Sequence, residues 1–266
     1  MTVDLQAWVG RTESATDTIS ARQVRQLAAT LERPIPTGAL PPLWHWIGWQ
    51  YETPMSGLGP DGHTRRGGFL PPVPLERRMW AGGRLRFEGQ LLMDEPLTRR
   101  SEILKVAEKS GGAGQMVFVT VGHTIMGSAG VVHEEQDIVY VALPTGFTPP
   151  PPQPAPPNPD WAEVFQADAP CLFRFSALTF NAHRIHYDLP YATSVEHYPG
   201  LVVHGPMQAM ALLTAAIAHQ GSLPSACRYR GVRPAFAGDL MLTAWGDTLA
   251  TVNHEGLQCM TAEVTW

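Results

Sequence analysis

The chain is poor in cysteine: Cys171, Cys227 and Cys259 are the only three in 266 residues. Three scattered thiols make neither a disulfide framework nor a zinc site, which fits a reducing compartment. No apolar run approaches the roughly 18 residues that a membrane-spanning helix requires. The N-terminal stretch MTVDLQAWVGR lacks a basic start followed by an apolar core, so a secretory signal is not expected. Positive charge is not in excess either, since 19 Lys and Arg face 24 Asp and Glu for a net charge of -5. That balance excludes the broad basic surface of a nucleic-acid binder. The expectation is a cytoplasmic protein with neither membrane nor nucleic acid as a partner.

What the chain does have is apolar mass and proline. Hydrophobic residues make up 44% of it, enough for real cores, and its length suits two units of about 100 to 130 residues each. Nine of the 25 prolines fall between Pro144 and Asp160 (PTGFTPPPPQPAPPNPD). Such a segment cannot join a strand ladder and favours an extended polyproline conformation, so it marks a linker. The division is therefore residues 1–143, a Pro-rich linker 144–160, and residues 161–266.

Within the first unit, residues 18–33 predict a helix of about three turns, with Thr18 or Ser20 as N-cap, an apolar face of Val24, Leu27, Ala28 and Leu31, and a stop before Pro34. The tryptophans of Leu43-Trp44-His45-Trp46-Ile47-Gly48-Trp49 point to a buried core helix. Residues 58–74 (LGPDGHTRRGGFLPPVP) hold too much Gly and Pro for regular structure and suit a substrate or cofactor lip. From Met79 the pattern turns to strands, with a Gly-rich hairpin turn at 111–114. In the second unit Cys171-Leu-Phe-Arg-Phe reads as a strand. The run from Gly205-Pro206 to Gln220 is apolar nearly all round, so it predicts a helix wrapped by a sheet, with Pro206 at the first helical position and Gly221 just past its end. Strands are expected at 226–234, 239–246 and 258–266. Phe236-Ala-Gly-Asp-Leu240 echoes Trp80-Ala-Gly-Gly-Arg-Leu85, a weak internal repeat.

Chemistry concentrates in SALTFNAHRIHYD, from Ser176 to Asp188. Asn181 and His186 are spaced so that one helical turn aims both at the same point, and imidazole is the side chain best suited to move protons near neutral pH. The plainer alternative makes His183 and His186 ordinary hydrogen-bonded histidines on a helix face. The start of the 205–220 helix, His204-Gly205-Pro206, leaves free backbone N–H groups from Gly205 or Met207 where the helix dipole favours negative charge. Arginines recur beside glycines, among them Arg65 and Arg66. Arg184 lies inside the cluster, and each of these is a candidate for a substrate carboxylate or phosphate, or is ordinary surface charge. His63, in the Gly/Pro-rich loop, is a second candidate histidine.

The spacing Asn181-x4-His186-x-Asp188 resembles the Asp-x-Asn-Pro-x-His-x-Asp signature of the MaoC-like, R-specific enoyl-CoA hydratase family. His186 matches the catalytic His, Asn181 stands where that family usually has its Asp, His183 falls on the motif's Asn, and Arg184 replaces its Pro. The phrases PPLWHW, LGPDGH, GGFLPP, RRMWAGGRL and EEQDIVY resemble the branch of mitochondrial-type 3-hydroxyacyl-thioester dehydratases and bacterial mesaconyl-CoA or itaconyl-CoA hydratases. The resemblance implies an α+β double hot-dog, two antiparallel sheets each wrapped around a central helix, with the C-terminal unit catalytic. It implies His186 as base, Asn181 as water-orienting group and Gly205 as oxyanion donor, with Arg184, Arg65, Arg66 and His63 as substrate-binding candidates. Neither a metal nor a separate cofactor is expected, CoA being part of the substrate. The implied function is hydration of 2-enoyl-CoA or dehydration of 3-hydroxyacyl-CoA on a short branched dicarboxylic acyl chain. Alternatives are a 3-hydroxyacyl-thioester dehydratase of fatty acid synthesis, a hot-dog acyl-CoA thioesterase, and a non-catalytic acyl-thioester binding module. Whether one chain suffices or two associate as a homodimer is left open.

Overall fold

The computed structural model describes residues 4–111 and 114–266. Its ten strands are β1 (Thr12–Thr18), β2 (Arg77–Gly89), β3 (Pro96–Gly111), β4 (Gly114–Met126), β5 (Gly130–Val141), β6 (Trp161–Ala167), β7 (Ala226–Gly231), β8 (Gly238–Trp245), β9 (Thr248–Val252) and β10 (Gln258–Thr265). They form one antiparallel sheet in the order β1-β3-β4-β5-β2-β7-β10-β9-β8-β6. Five strands precede the Pro-rich segment and five follow it. The two expected sheets are thus edge-joined through β2 and β7, in a register that sets Leu85 opposite Cys227. Glycine permits the joint: a Cβ on Gly82 would lie 2.6 Å from the Tyr229 carbonyl oxygen, and one on Gly83 would collide with the Tyr229 side chain. The turn expected at 111–114 joins β3 to β4, and its central Gly112 and Ala113 lie outside the described residues.

Helix α1 (Ala21–Leu31) forms as the pattern predicts. The Ser20 hydroxyl accepts from the Gln23 backbone N–H while the Gln23 side chain accepts from the Ser20 N–H, a reciprocal capping box. Val24, Leu27, Ala28 and Leu31 are buried. Helix α4 (Gly205–Gln220) is the wrapped one: it packs against β6, β8, β9 and β10, and Met207 through Leu213 are buried. His204 caps it, so Gly205 holds the first helical position and Pro206 the second, and Gly221 closes it in the left-handed region at φ 73°.

Two local expectations are overturned. Trp44–Ile47 is a single 3-10 turn and not a core helix, because Leu43 (φ 72°) and Trp49 (φ 51°) sit left-handed on either side of it. Among the described residues the longest helix of the first half is α1, 11 residues against the 16 of α4. Cys171–Phe175 is not a strand but part of α2 (Ala169–Leu178), where the Asp168 carboxylate accepts the Cys171 N–H at 3.0 Å and Cys171, Leu172, Phe175 and Ser176 point inward at helical spacing. The short α3 (Leu189–Ser194) follows, capped by Asp188. Residues 144–160 carry no helix or strand. They lie along the second half, where Arg233 donates to the Pro150 carbonyl at 2.7 Å and Pro154 bridges to Leu257. No helix among the described residues is long and apolar enough to cross a membrane.

Candidate active site

The sequence cluster folds as a bent connection from α2 into α3. After α2 the chain turns at Phe180 (φ 50°), and the Asn181 N–H returns to the Ser176 carbonyl at 2.8 Å. The Asn181 side-chain oxygen accepts the His183 N–H at 3.0 Å, leaving its amide NH2 to donate elsewhere. A second loop is latched onto this one from the first half. Arg184 donates its backbone N–H to the Asp61 carbonyl (2.9 Å) and its guanidinium to the Pro60 carbonyl (3.0 Å). Gly62, at φ 88°, packs so closely on the Ala182 carbonyl that no side chain fits there.

His186 is buried, and its Nδ1 donates to the Val202 carbonyl at 2.7 Å, which leaves Nε2 as the lone-pair nitrogen. Its ring stacks on His204 with centroids 3.6 Å apart. His204, cap of α4, meets the Ser176 hydroxyl through Nε2 at 2.8 Å, and its buried Nδ1 has no partner. Burial, followed by the neighbouring His204 and His183, pushes the His186 pKa well below its ordinary value. Burial likewise lowers His204 to about 3. These imidazoles are therefore neutral and acceptor-competent at physiological pH.

Beside them, His183 pairs through Nε2 with Glu196 (3.2 Å), which in turn faces Arg77 at 3.1 Å. On its other side His183 lies against His63, ring centroids 4.1 Å apart. The Asp61 carboxylate takes both the Nδ1 (2.9 Å) and the backbone N–H (3.0 Å) of His63. Asp61, His63 and His183 bring three ligand-type atoms within 4.8 Å of one another, but the two rings lie side against side and each already has a carboxylate partner. Burial lowers His63 to about 3, and nearby Arg78 acts in the same sense.

A cavity of about 590 Å³ opens beside this cluster, between the two halves. Asn181, Ala182, Ser176, Pro206 and His63 form part of its wall, as do Trp46, Trp80 and the inner faces of β3, β4 and β5. Exposed Met55, Phe173, Phe180 and Tyr187 rim it. Neither His186 nor Gly205 lines the cavity itself: Gly205 immediately precedes the lining Pro206, and His186 connects to the lining His63 through the ring of His183. Gly205 is glycine by necessity, since a Cβ would lie 2.7 Å from the Trp80 ring. The three candidate arginines are occupied elsewhere. Arg184 pairs with Asp188 (2.7 Å), Arg65 donates to the Leu58 carbonyl (3.1 Å), and Arg66 donates to the carbonyls of Val73, Leu75 and Glu76. The arginines that do line the cavity are Arg78, one of the arginine pair Arg77-Arg78 that the sequence offers as a phosphate contact, and Arg99, which sequence reasoning passed over together with the roles of Asp61, Ser176 and His204.

Comparison with known proteins agrees with this architecture. The family model for hydroxyacyl-thioester dehydratase type 2 matches residues 43–237. The chain is 46% identical over 239 residues to the mesaconyl-C(4)-CoA hydratase of Chloroflexus aurantiacus, covering 88% of this chain and 85% of the relative. It is 28% identical over 235 residues to the mitochondrial hydroxyacyl-thioester dehydratase type 2 of Schizosaccharomyces pombe, covering 74% and 76%. Among solved structures, a MaoC-like dehydratase from Phytophthora capsici superposes with a TM-score of 0.70 at 14% identity over 99% and 98% of the two chains. A Mycobacterium tuberculosis protein with a double hotdog fold does so with a TM-score of 0.55 at 15% identity over 96% and 95%. The fold is thus α+β of the double hot-dog type, its two sheets fused at β2 and β7.

Proposed function

The chain belongs to the hydroxyacyl-thioester dehydratase type 2 family, and from that premise we propose that it hydrates 2-enoyl-CoA thioesters, or in reverse dehydrates 3-hydroxyacyl-CoA, on a short branched dicarboxylic acyl chain of the mesaconyl type. It is an enzyme of the carbon–oxygen lyase type. The observation that carries the reading is the neutral imidazole of His186, its Nδ1 fixed on Val202, held at the open N-terminus of α4 beside a cavity walled by Asn181 and Pro206.

In this mechanism a water bound between the Asn181 amide and His186 adds its oxygen to the β-carbon, and its proton passes to His186 Nε2. The double-bond electrons move toward the thioester as an enolate, whose oxygen is met by the Gly205 N–H at the positive end of the helix dipole. The imidazolium then returns a proton to the α-carbon, completing addition of H and OH. Asn181 replaces a carboxylate, so it orients the water and takes no proton.

The test is a panel of short enoyl-CoA esters, dicarboxylic and monocarboxylic, followed by loss of enoyl absorbance without release of thiol. His186→Ala and Asn181→Ala should each lose at least about a hundredfold in rate while keeping the circular dichroism of the wild type. Both variants turning over at the wild-type rate would remove the site assignment. The second reading is a 3-hydroxyacyl-thioester dehydratase of fatty acid synthesis, and the relative at 28% identity, a hydroxyacyl-thioester dehydratase, is in keeping with it. A preference for the monocarboxylic members of the panel would favour it.

A further inference from the structure

The cavity has a polar wall that the hydration chemistry does not use. It is built on the inner face of the sheet, where register sets Ser101 opposite His123 and His123 opposite Glu134. Buried polar groups of this kind are costly unless satisfied, and most here are. Glu134, 3% exposed, accepts from Trp46 Nε1 (2.9 Å) and Gln136 (2.6 Å) and pairs with His45 Nε2 (3.1 Å). His123 meets the Ser101 hydroxyl through Nδ1 at 2.9 Å.

Arg99 is the exception. It extends from β3 into the cavity with its side chain only 17% exposed, and its Nε is buried without a partner. Among the described residues its one acidic neighbour is Glu13, at 3.9 Å, too far for a hydrogen bond. The guanidinium is held in place over the Trp49 ring, 5.2 Å from its centroid, so its direction is fixed before anything binds. Its polar neighbour on the cavity wall is the Tyr51 hydroxyl, and no carboxylate among the described residues lies within hydrogen-bond distance of it, so a preorganised, largely desolvated guanidinium is left without a counter-anion there, and its planar fork suits a carboxylate. Glu134 does not compete, because three donors already occupy its oxygens.

We infer that Arg99 is the specificity-determining residue of the acyl pocket, binding the free carboxylate of a dicarboxylic acyl-CoA against the wall formed by β3, β4 and β5. This rests on the hydratase reading above and moves the carboxylate contact from Arg184, Arg65 and Arg66 to a residue of the first half. An unbranched fatty acyl chain gains nothing from that wall, since it would cover Arg99 and Gln136 without satisfying them.

The experiment compares kcat/KM for mesaconyl-C(4)-CoA with that for crotonyl-CoA, a monocarboxylic enoyl ester, in wild type, Arg99→Gln, Arg99→Lys and Arg78→Gln. Arg99→Gln should lower the dicarboxylic-to-monocarboxylic ratio by about a hundredfold, chiefly through KM for the dicarboxylic ester, the size expected when one partner of a buried charge pair is removed. Arg99→Lys should restore part of the ratio, and it carries the test if Arg99→Gln does not fold. An equal loss on both esters would make Arg99 a CoA or structural contact and overturn the inference. A collapse of the ratio in Arg78→Gln alone would place the carboxylate elsewhere and overturn it as well. A wild type that hydrates neither ester would instead overturn the hydratase reading itself, which distinguishes the two failures.

Discussion

His63 shows how much of this site depends on a single ring's surroundings. It is the candidate histidine that touches the cavity directly, and Asp61 fixes its tautomer by taking Nδ1, so Nε2 is the nitrogen left for substrate or water. Burial works to raise the Asp61 carboxyl, but the hydrogen bonds and charge of His63 outweigh it and hold Asp61 below the usual carboxylate range. Because Asn181 has no titratable proton, the proposed mechanism leaves this Asp–His pair on the cavity wall as its candidate second acid–base group. His63→Gln should therefore cut kcat by at least about tenfold with little change in melting temperature. Asp61→Asn should cut it less, by releasing the ring without removing it. Steady-state hydration rates decide the matter, and a His63→Gln variant within twofold of wild type would reduce the ring to packing against His183. The spacing of His63 from its neighbours gave no hint of this meeting, because it joins residues from opposite ends of the chain. Arg99 was legible in the sequence by alternation rather than by pairing: in Leu97-Thr-Arg-Arg-Ser101, the strand period puts Leu97, Arg99 and Ser101 on the inner face and Arg100 outside.

At the scale of elements, sequence signals worked where the backbone's own chemistry ends an element. Ser20 and Gln23 start α1, and Gly221 stops α4, so both helices were readable to within a few residues. They failed where periodicity was ambiguous or tertiary contacts decided. Cys171-Leu-Phe-Arg-Phe alternates like a strand over five residues, yet Asp168 and Pro170 ahead of it are helix-start signals, and the apolar spacing extends to Ser176 only if it is a helix. The loop holding Pro60 to His63 is the element most exposed to a single change. Gly62 is left-handed and touches the Ala182 carbonyl, so Gly62→Ala must push the loop off the Asn181 segment. The expected outcome is a loss of about tenfold or more in kcat/KM, with the global melt shifted by only a few degrees because the loop lies outside the sheet. A melt lowered far more than activity would mean the latch serves stability first.

Over the whole molecule, the cavity lies between the two halves, and among the described residues the first half has no helix as long as α4. Trp46, Trp80 and Glu134 from one side meet Phe175, Asn181 and Pro206 from the other around the open space. The fused sheet holds these walls in register across β2 and β7, a pairing that no local pattern announces. One consequence is a molecule with several buried or half-buried neutral histidines. Burial sets His63 and His204 to about 3 and His123 to about 4, and His186 lies well below its ordinary value. In the unfolded chain each takes up a proton near pH 6.5. Below that pH the unfolded state binds more protons than the folded one, so this contribution to stability is complete above about 6.5 and is lost as pH falls toward about 3. Catalysis behaves differently, because a base whose folded pKa is depressed stays unprotonated through the same window. Hydration at substrate concentrations far below KM should accordingly stay flat from about pH 7.5 to 5.5 while the melting temperature declines over the lower part of that range. Rates and thermal melts taken at each pH separate the two effects. An acid limb centred near 6.5 with an unchanged melting temperature would mean that the working imidazole titrates like a solvent-exposed one, and that the base is not buried among these rings.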